Sequence, residues 1–121
     1  MGMNNKGQIV GYAALIGDET FDAFLWTNDL MLDLGKLPGD FFAVANGINQ
    51  DGEIVGTSVG FLPPAFIWKD GQMIDLNILI SHTSDWALVF AQGINDRGQI
   101  VGGGVHNTEA HAFLLTPKKH E

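Results

Sequence analysis

Three segments of this chain read almost alike, and their spacing limits the fold more than any other feature. Gly47-Ile48-Asn49-Gln50-Asp51-Gly52-Glu53-Ile54-Val55-Gly56 returns 46 positions later as Gly93-Ile94-Asn95-Asp96-Arg97-Gly98-Gln99-Ile100-Val101-Gly102. Met3-Asn4-Asn5-Lys6-Gly7-Gln8-Ile9-Val10-Gly11 precedes them by 45 positions, without a leading Gly-Ile. A second unit follows each copy: Asp22-Ala23-Phe24-Leu25-Trp26, Pro64-Ala65-Phe66-Ile67-Trp68 and His111-Ala112-Phe113-Leu114-Leu115. A third, Met31-Leu32-Asp33-Leu34-Gly35, returns as Met73-Ile74-Asp75-Leu76-Asn77, and a fourth, Phe41 to Ala45, returns as Ala87 to Ala91. The order of units never changes.

The apolar stretches are short and closed by glycine, asparagine or aspartate, which predicts strands joined by tight turns. Asn49 with Gly52 and Asn95 with Gly98 suit type I turns ending in a left-handed residue, and Asp70-Gly71 suits a two-residue hairpin. Four antiparallel strands per repeat are expected, on about the period of a β-propeller blade. Phe41 to Ala45 and Ala87 to Ala91 are apolar on both faces, as strands covered on two sides would be. Gly11, Gly56 and Gly102, each after Ile-Val, are expected to let backbones approach near a central axis. The boundaries are one repeat domain over 1–116 (repeats 3–46 and 47–92, a partial repeat 93–116) and a tail over 117–121. Ten readable strands make about 2.5 four-stranded repeats, so the propeller-like, all-β fold is expected to be completed by oligomerisation, as a homo-oligomer such as a dimer, or to be part of a longer chain. Two chains would supply twenty strands, or five blades.

These residues resemble the HAF-repeat family, described as extracellular bacterial β-repeat proteins. Its pattern runs roughly Gly-Ile-Asn-x-x-Gly-x-Ile-Val-Gly, then His-Ala-Phe-Leu-Trp, then Met-x-Asp-Leu-Gly. The naming triplet stands literally at His111-Ala112-Phe113, while Asp22 and Pro64 replace the histidine elsewhere and Leu115 replaces the last tryptophan. The resemblance implies a repeated β architecture, an extracellular location and no catalytic machinery. The N-terminal residues lack the apolar segment of a signal peptide.

Composition bears on partners. Fourteen acidic residues against six Lys and Arg give a formal charge of -8, which disfavours nucleic acid as a partner. No apolar run approaches the roughly 20 residues of a membrane-spanning helix. The chain has no cysteine, hence no disulfide and no thiolate metal site.

No cofactor, metal site or catalytic set is expected from the motifs. Asn49 to Gly52 and Asn95 to Gly98 offer too few oxygen ligands for a calcium loop and read as turns. Asp33 and Asp75 recur, which favours carboxylates that accept backbone N–H groups over ligands. His106 and His111 flank Glu109, but a loop over Gly103 to Ala110 would make their meeting accidental. The stretch Ser81 to Trp86 departs most from the repeat, making His82, Asp85 and Trp86 the candidate binding residues. An exposed Trp86 could stack on a sugar, whereas a buried one would merely begin the next strand. The leading expectation is a non-catalytic binding or structural module for a protein or carbohydrate partner. The alternatives are a hydrolase with its site in an axial funnel, or a structural segment of a larger exported protein.

Overall fold

The computed structural model of the protein describes residues 1–14, 21–60, 64–80 and 85–117, excepting the side chain of Ala14. Among them, eleven strands form three antiparallel sheets. The first sheet holds β1 (Gly2–Met3), β2 (Ile9–Ala14), β3 (Phe21–Thr27) and β4 (Leu30–Gly35) in that order. The second holds β5 (Phe42–Ile48), β6 (Ile54–Val59), β7 (Ala65–Lys69) and β8 (Gln72–Asp75), followed by a 3-10 turn at Leu76–Ile78. The third holds β9 (Trp86–Ile94), β10 (Ile100–His106) and β11 (Glu109–Leu115). No helix of the described residues is long and apolar enough to cross a membrane.

The fold is therefore all-β and repeated, with one more strand than the sequence reading counts. The extra strand is β1, where Gly2-Met3 stands for Gly47-Ile48 although methionine hides the motif. The sheets are also out of phase with the repeat, because Gly47 and Gly93 lie near the ends of β5 and β9 rather than at the start of a sheet.

Turn chemistry sets the hairpins. Gly52 and Gly98 take φ of 80° and 79°, as the asparagine turns require, and Asp70 with Gly71 (53° and 78°) close the β7–β8 hairpin. Each repeated asparagine does more than turn the chain. Asn49 Oδ1 accepts the N–H groups of Asp51 and Glu53 at 3.1 and 2.9 Å, while its Nδ2 donates to the Asn95 carbonyl at 3.0 Å in the next repeat. Asn4 donates likewise to the Asn49 carbonyl at 2.9 Å. Backbone N–H groups add a parallel ladder, Asn5 to Gln50 Oε1 and Gln50 to Asp96 Oδ1. The three repeats are thus tied by bonds that span 45 or 46 positions.

The sheets stack face to face around two apolar layers. Val10, Ala23 and Leu25 of the first sheet meet Ala43, Ala45, Ile54 and Phe66 of the second. Val55, Ala65 and Ile67, on the other face of the second sheet, meet Leu88, Ala91, Ile100 and Phe113 of the third. Of the two stretches expected to be covered on both faces, Phe42 to Ala45 in β5 is buried or half-buried while Phe41 before it is exposed, and in β9 Ala87 and Phe90 are exposed.

Gly56 and Gly102 let backbones come close, as expected, but within a sheet, whereas Gly11 meets only the Phe24 and Met1 side chains. The first two sit on β6 and β10, beneath the rings of Phe66 and Phe113 and against the Val44 and Phe90 carbonyls beside β-bulges. The close approach between repeats occurs instead at Gly2, Gly47 and Gly93: a Cβ on Gly2 would lie 3.0 Å from Gly47 Cα, and one on Gly47 would lie 3.0 Å from Gly93 Cα.

Candidate functional site

Two regions carry groups that the packing of the stack does not consume: the outer end of the third sheet, and the two terminal faces of the stack. At the first, Asn107 and Thr108 form a two-residue turn with φ of 52° and 67°, so β10 and β11 are a continuous hairpin. The loop expected over Gly103 to Ala110 does not exist. Thr108 is β-branched in the left-handed region, a position its side chain disfavours, and for that reason the turn is invisible in the sequence.

The hairpin brings together residues that spacing alone kept apart. His106 pairs with Glu109, and His111 sits diagonally from His106 across the ladder, so the three share a face. Trp86, opposite His106 on β9, stacks on its ring at 4.7 Å and 16°. The His111 ring meets Trp86 edge-on at 6.2 Å, and Phe113 does so at 6.4 Å. Glu109 Oε2 lies 3.4 Å from His111 Nε2. The meeting of the two histidines is built, not accidental.

Of the candidate binding residues, Asp85 is exposed and Trp86 is half-buried at the start of β9. One face of Trp86 is occupied by His106, which limits its use as a stacking platform. His82 falls outside the described residues.

Below Trp86 lies a cavity of about 210 Å³ lined by Ile80, Trp86, Leu88, Phe113 and Leu115, with Ala112 and Leu114 at its rim. The rim is the outer edge of β11. In the other two sheets β3 and β7 are followed by β4 and β8 on this side, whereas no described strand pairs with β11 there.

The terminal faces are also apolar. On the first sheet, Ile9, Phe24, Trp26 and Met31 occupy the positions of Ile54, Phe66, Trp68 and Met73, but nothing described covers them, and Met31 is 58% exposed. On the third, Val101, Ala112 and Leu114 occupy the positions of Val55, Ala65 and Ile67; Leu114 is 61% exposed where Ile67 is 6%.

The carboxylates have structural employment. Asp33 Oδ1 accepts the Gly35 N–H at 2.7 Å, and Asp75 Oδ1 accepts the Asn77 N–H at 2.8 Å. These are the strand-end bonds that recurrence suggested. Buried Asp22 is paired with Lys36. Partial burial, then the hydrogen bond and negative charge of Asp22, raise the Asp33 carboxyl above its ordinary pKa, against the lowering influence of the Gly35 N–H and Lys36. This cluster sits on β3, β4 and the segment after them.

No family model, curated protein or solved structure matches the chain.

Proposed function

We propose that the protein is a non-catalytic structural module that joins head to tail with copies of itself, the third sheet of one copy stacking on the first sheet of the next. The observation that carries this is the positional match of the two terminal faces. Each presents the same residue positions that, inside the stack, form the contact between neighbouring sheets. The first sheet offers the face that the second sheet turns toward it, and the third offers the face that the second turns toward the third.

The hydrogen-bond ladder supports the same joint. Asn4 and Asn49 each donate to the carbonyl of the following repeat, and Asn95, exposed where Asn49 is buried, has no following repeat among the described residues. A second copy would bring the Asn4 carbonyl to that position. Burying side chains such as Trp26, Met31 and Leu114 contributes about 1.5–3 kcal/mol each before the cost of association is subtracted. Such a contact is heterologous, and it closes into a ring only where the rotation per sheet allows. Two copies would hold six sheets, within the range of four to eight blades usual for propellers, rather than the five that counting strands suggested. The likeness to extracellular repeat proteins agrees with a scaffolding role.

A complementation experiment tests the reading. Trp26→Asp blocks one terminal face and Leu114→Asp the other, so each variant alone should lose the closed assembly. Mixed, they should form a heterodimer through the two unaltered faces. A mixture that stays monomeric while the unmodified chain associates, or a single variant that still dimerises alone through its unaltered face, would overturn the head-to-tail arrangement.

A further inference from the structure

We infer that the surface from Gly93 to Asp96, where β9 runs into its turn, is a socket for one segment of a second copy, Gly2-Met3-Asn4-Asn5, and that the bare backbone at Gly93 decides which repeats the socket admits. This rests on the stacking proposed above and names the contact that gives it specificity.

Gly2, Gly47 and Gly93 hold one position of the repeat, and none of them takes a left-handed φ. The backbone there is open to any residue, so the need for glycine lies outside the local chain. A glycine in a strand weakens it and marks the close approach of another backbone. A Cβ added to Gly2 would lie 2.8 Å from the Asn46 carbonyl oxygen and 3.0 Å from Gly47 Cα. One added to Gly47 would lie 3.0 Å from Gly93 Cα and 3.4 Å from the Gln92 carbonyl oxygen. Each of the two therefore rests bare against the backbone of the following repeat. At Gly93 the nearest described atom is Val101 Cγ2 at 3.8 Å, an ordinary contact. No described part of the chain itself requires a glycine there, whereas the backbone at Gly2 of a second copy would.

Two polar groups beside Gly93 are in the same state. Asn4 and Asn49 each divide the protons of Nδ2: one goes to the side chain four residues on, Gln8 Oε1 at 2.7 Å or Glu53 Oε1 at 2.8 Å, and the other to a carbonyl of the following repeat. Asn95 gives one proton to Gln99 Oε1 at 2.9 Å, and the other meets no acceptor among the described residues. The N–H groups of Asn5 and Gln50 donate to Gln50 Oε1 and Asp96 Oδ1 of the following repeat, but that of Asp96 meets no such side chain among the described residues. A second copy supplies both acceptors, the Asn4 carbonyl and Asn5 Oδ1. The same chain's Gly2 to Asn5 cannot, since they belong to the first sheet and the socket to the third, with the second sheet between them.

The test is sedimentation velocity of Gly93→Ala beside the unmodified chain and the two face variants. Alanine at this position meets only Val101 within the chain, so the near-ultraviolet circular dichroism and the urea midpoint of the dissociated chain should not change. Association should weaken by about tenfold or more, because one carbon is pressed into a backbone contact. Gly93→Ala should form a heterodimer with Trp26→Asp, whose third sheet is intact, and none with Leu114→Asp, whose third sheet is blocked. Asn5→Ala, on the giving side, should show the reverse pairing and weaken association about fivefold, as one lost hydrogen bond would. A folded Gly93→Ala that associates like the unmodified chain, or that pairs with Leu114→Asp, would overturn the inference and leave the stacking standing. A Gly93→Ala chain that fails to fold would show the glycine serving its own chain and would overturn it too. An unmodified chain that stays monomeric would overturn both.

Discussion

Replacing Gly56 by alanine should cost far more than the same change at Gly11, although the two occupy one position of the repeat. A methyl group at Gly56 would lie 2.0 Å from the Val44 carbonyl oxygen, 2.9 Å from Ala45 Cα and 3.0 Å from the Phe66 ring. Two of these are backbone atoms of a buried strand, and Phe66 is fully buried, so none can step aside cheaply. At Gly102 the neighbours are the Phe90 carbonyl oxygen at 2.0 Å, the Phe113 ring at 2.8 Å and Ala91 Cα at 2.9 Å. At Gly11 the nearest atoms belong to the half-buried Phe24 ring at 3.2 Å, and no inner-strand carbonyl comes near. Overpacking by one carbon costs about 1–3 kcal/mol, and displacing β5 from β6 forfeits ladder hydrogen bonds of about 1 kcal/mol each. Against this, alanine stiffens the unfolded chain by about 0.4–1 kcal/mol. Gly56→Ala and Gly102→Ala should therefore lose about 3 kcal/mol or more, and Gly11→Ala should stay within about 1 kcal/mol of the unmodified chain. Domains hold only roughly 5–15 kcal/mol in all, so the loss is large and measurable. Urea unfolding at one fixed protein concentration reads it as a shift in midpoint at constant slope. Gly56→Ala within 1 kcal/mol of the parent, or Gly11→Ala as damaging as Gly56→Ala, would refute the packing argument.

Other substitutions separate the bonds between repeats from those within them. Asn49→Ala removes four hydrogen bonds from a buried side chain and leaves the Asp51 and Glu53 N–H groups without it; it should lose about 2–4 kcal/mol in urea unfolding, against about 1 kcal/mol for exposed Asn95→Ala. Thr108→Gly relieves a β-branched residue at φ 67° and should stabilise by about 1 kcal/mol, read as a higher thermal midpoint with the Trp86 environment preserved in near-ultraviolet circular dichroism. The raised pKa of Asp33 means that the fold favours its protonated form; that contribution is fully present below the unfolded-state pKa and is lost as pH rises through the folded one. Asp33→Asn keeps an acceptor for the Gly35 N–H, so it should be slightly stabilising at neutral pH, with the gain vanishing in acid. A gain that grows toward low pH would contradict the assignment.

The architecture was legible where the turn residues were of the usual kind. Asn49 with Gly52, Asn95 with Gly98 and Asp70-Gly71 each mark a hairpin that the structure contains, and of the recurring phenylalanines Phe66 and Phe113 pack between sheets as expected, whereas Phe24 lies on the outer face of the first sheet. The sequence reading failed where a local signal pointed elsewhere. Gly103-Gly104 reads as loop yet lies in β10, because the Phe90 ring and the Ala87 carbonyl take the space their side chains would fill. Asn107-Thr108 lacks the glycine of a tight turn, and with the hairpin hidden, the cluster of Trp86, His106 and His111 was hidden too. The histidine spacing that excludes a helical pair suits a diagonal pair across a two-residue hairpin. The edge of β11, with which no described strand pairs, and the terminal faces could be anticipated only as an incomplete strand count, since exposure belongs to tertiary structure.

Sedimentation equilibrium of the unmodified chain over a wide concentration range tests the central claim most directly, since it asks whether the uncovered faces are used. The account predicts a defined assembly of two or more copies whose mass stops rising once its ring is closed. A folded monomer that persists at the highest concentrations would contradict it, leaving Trp26, Met31, Val101 and Leu114 as apolar surface that copies of this chain do not cover.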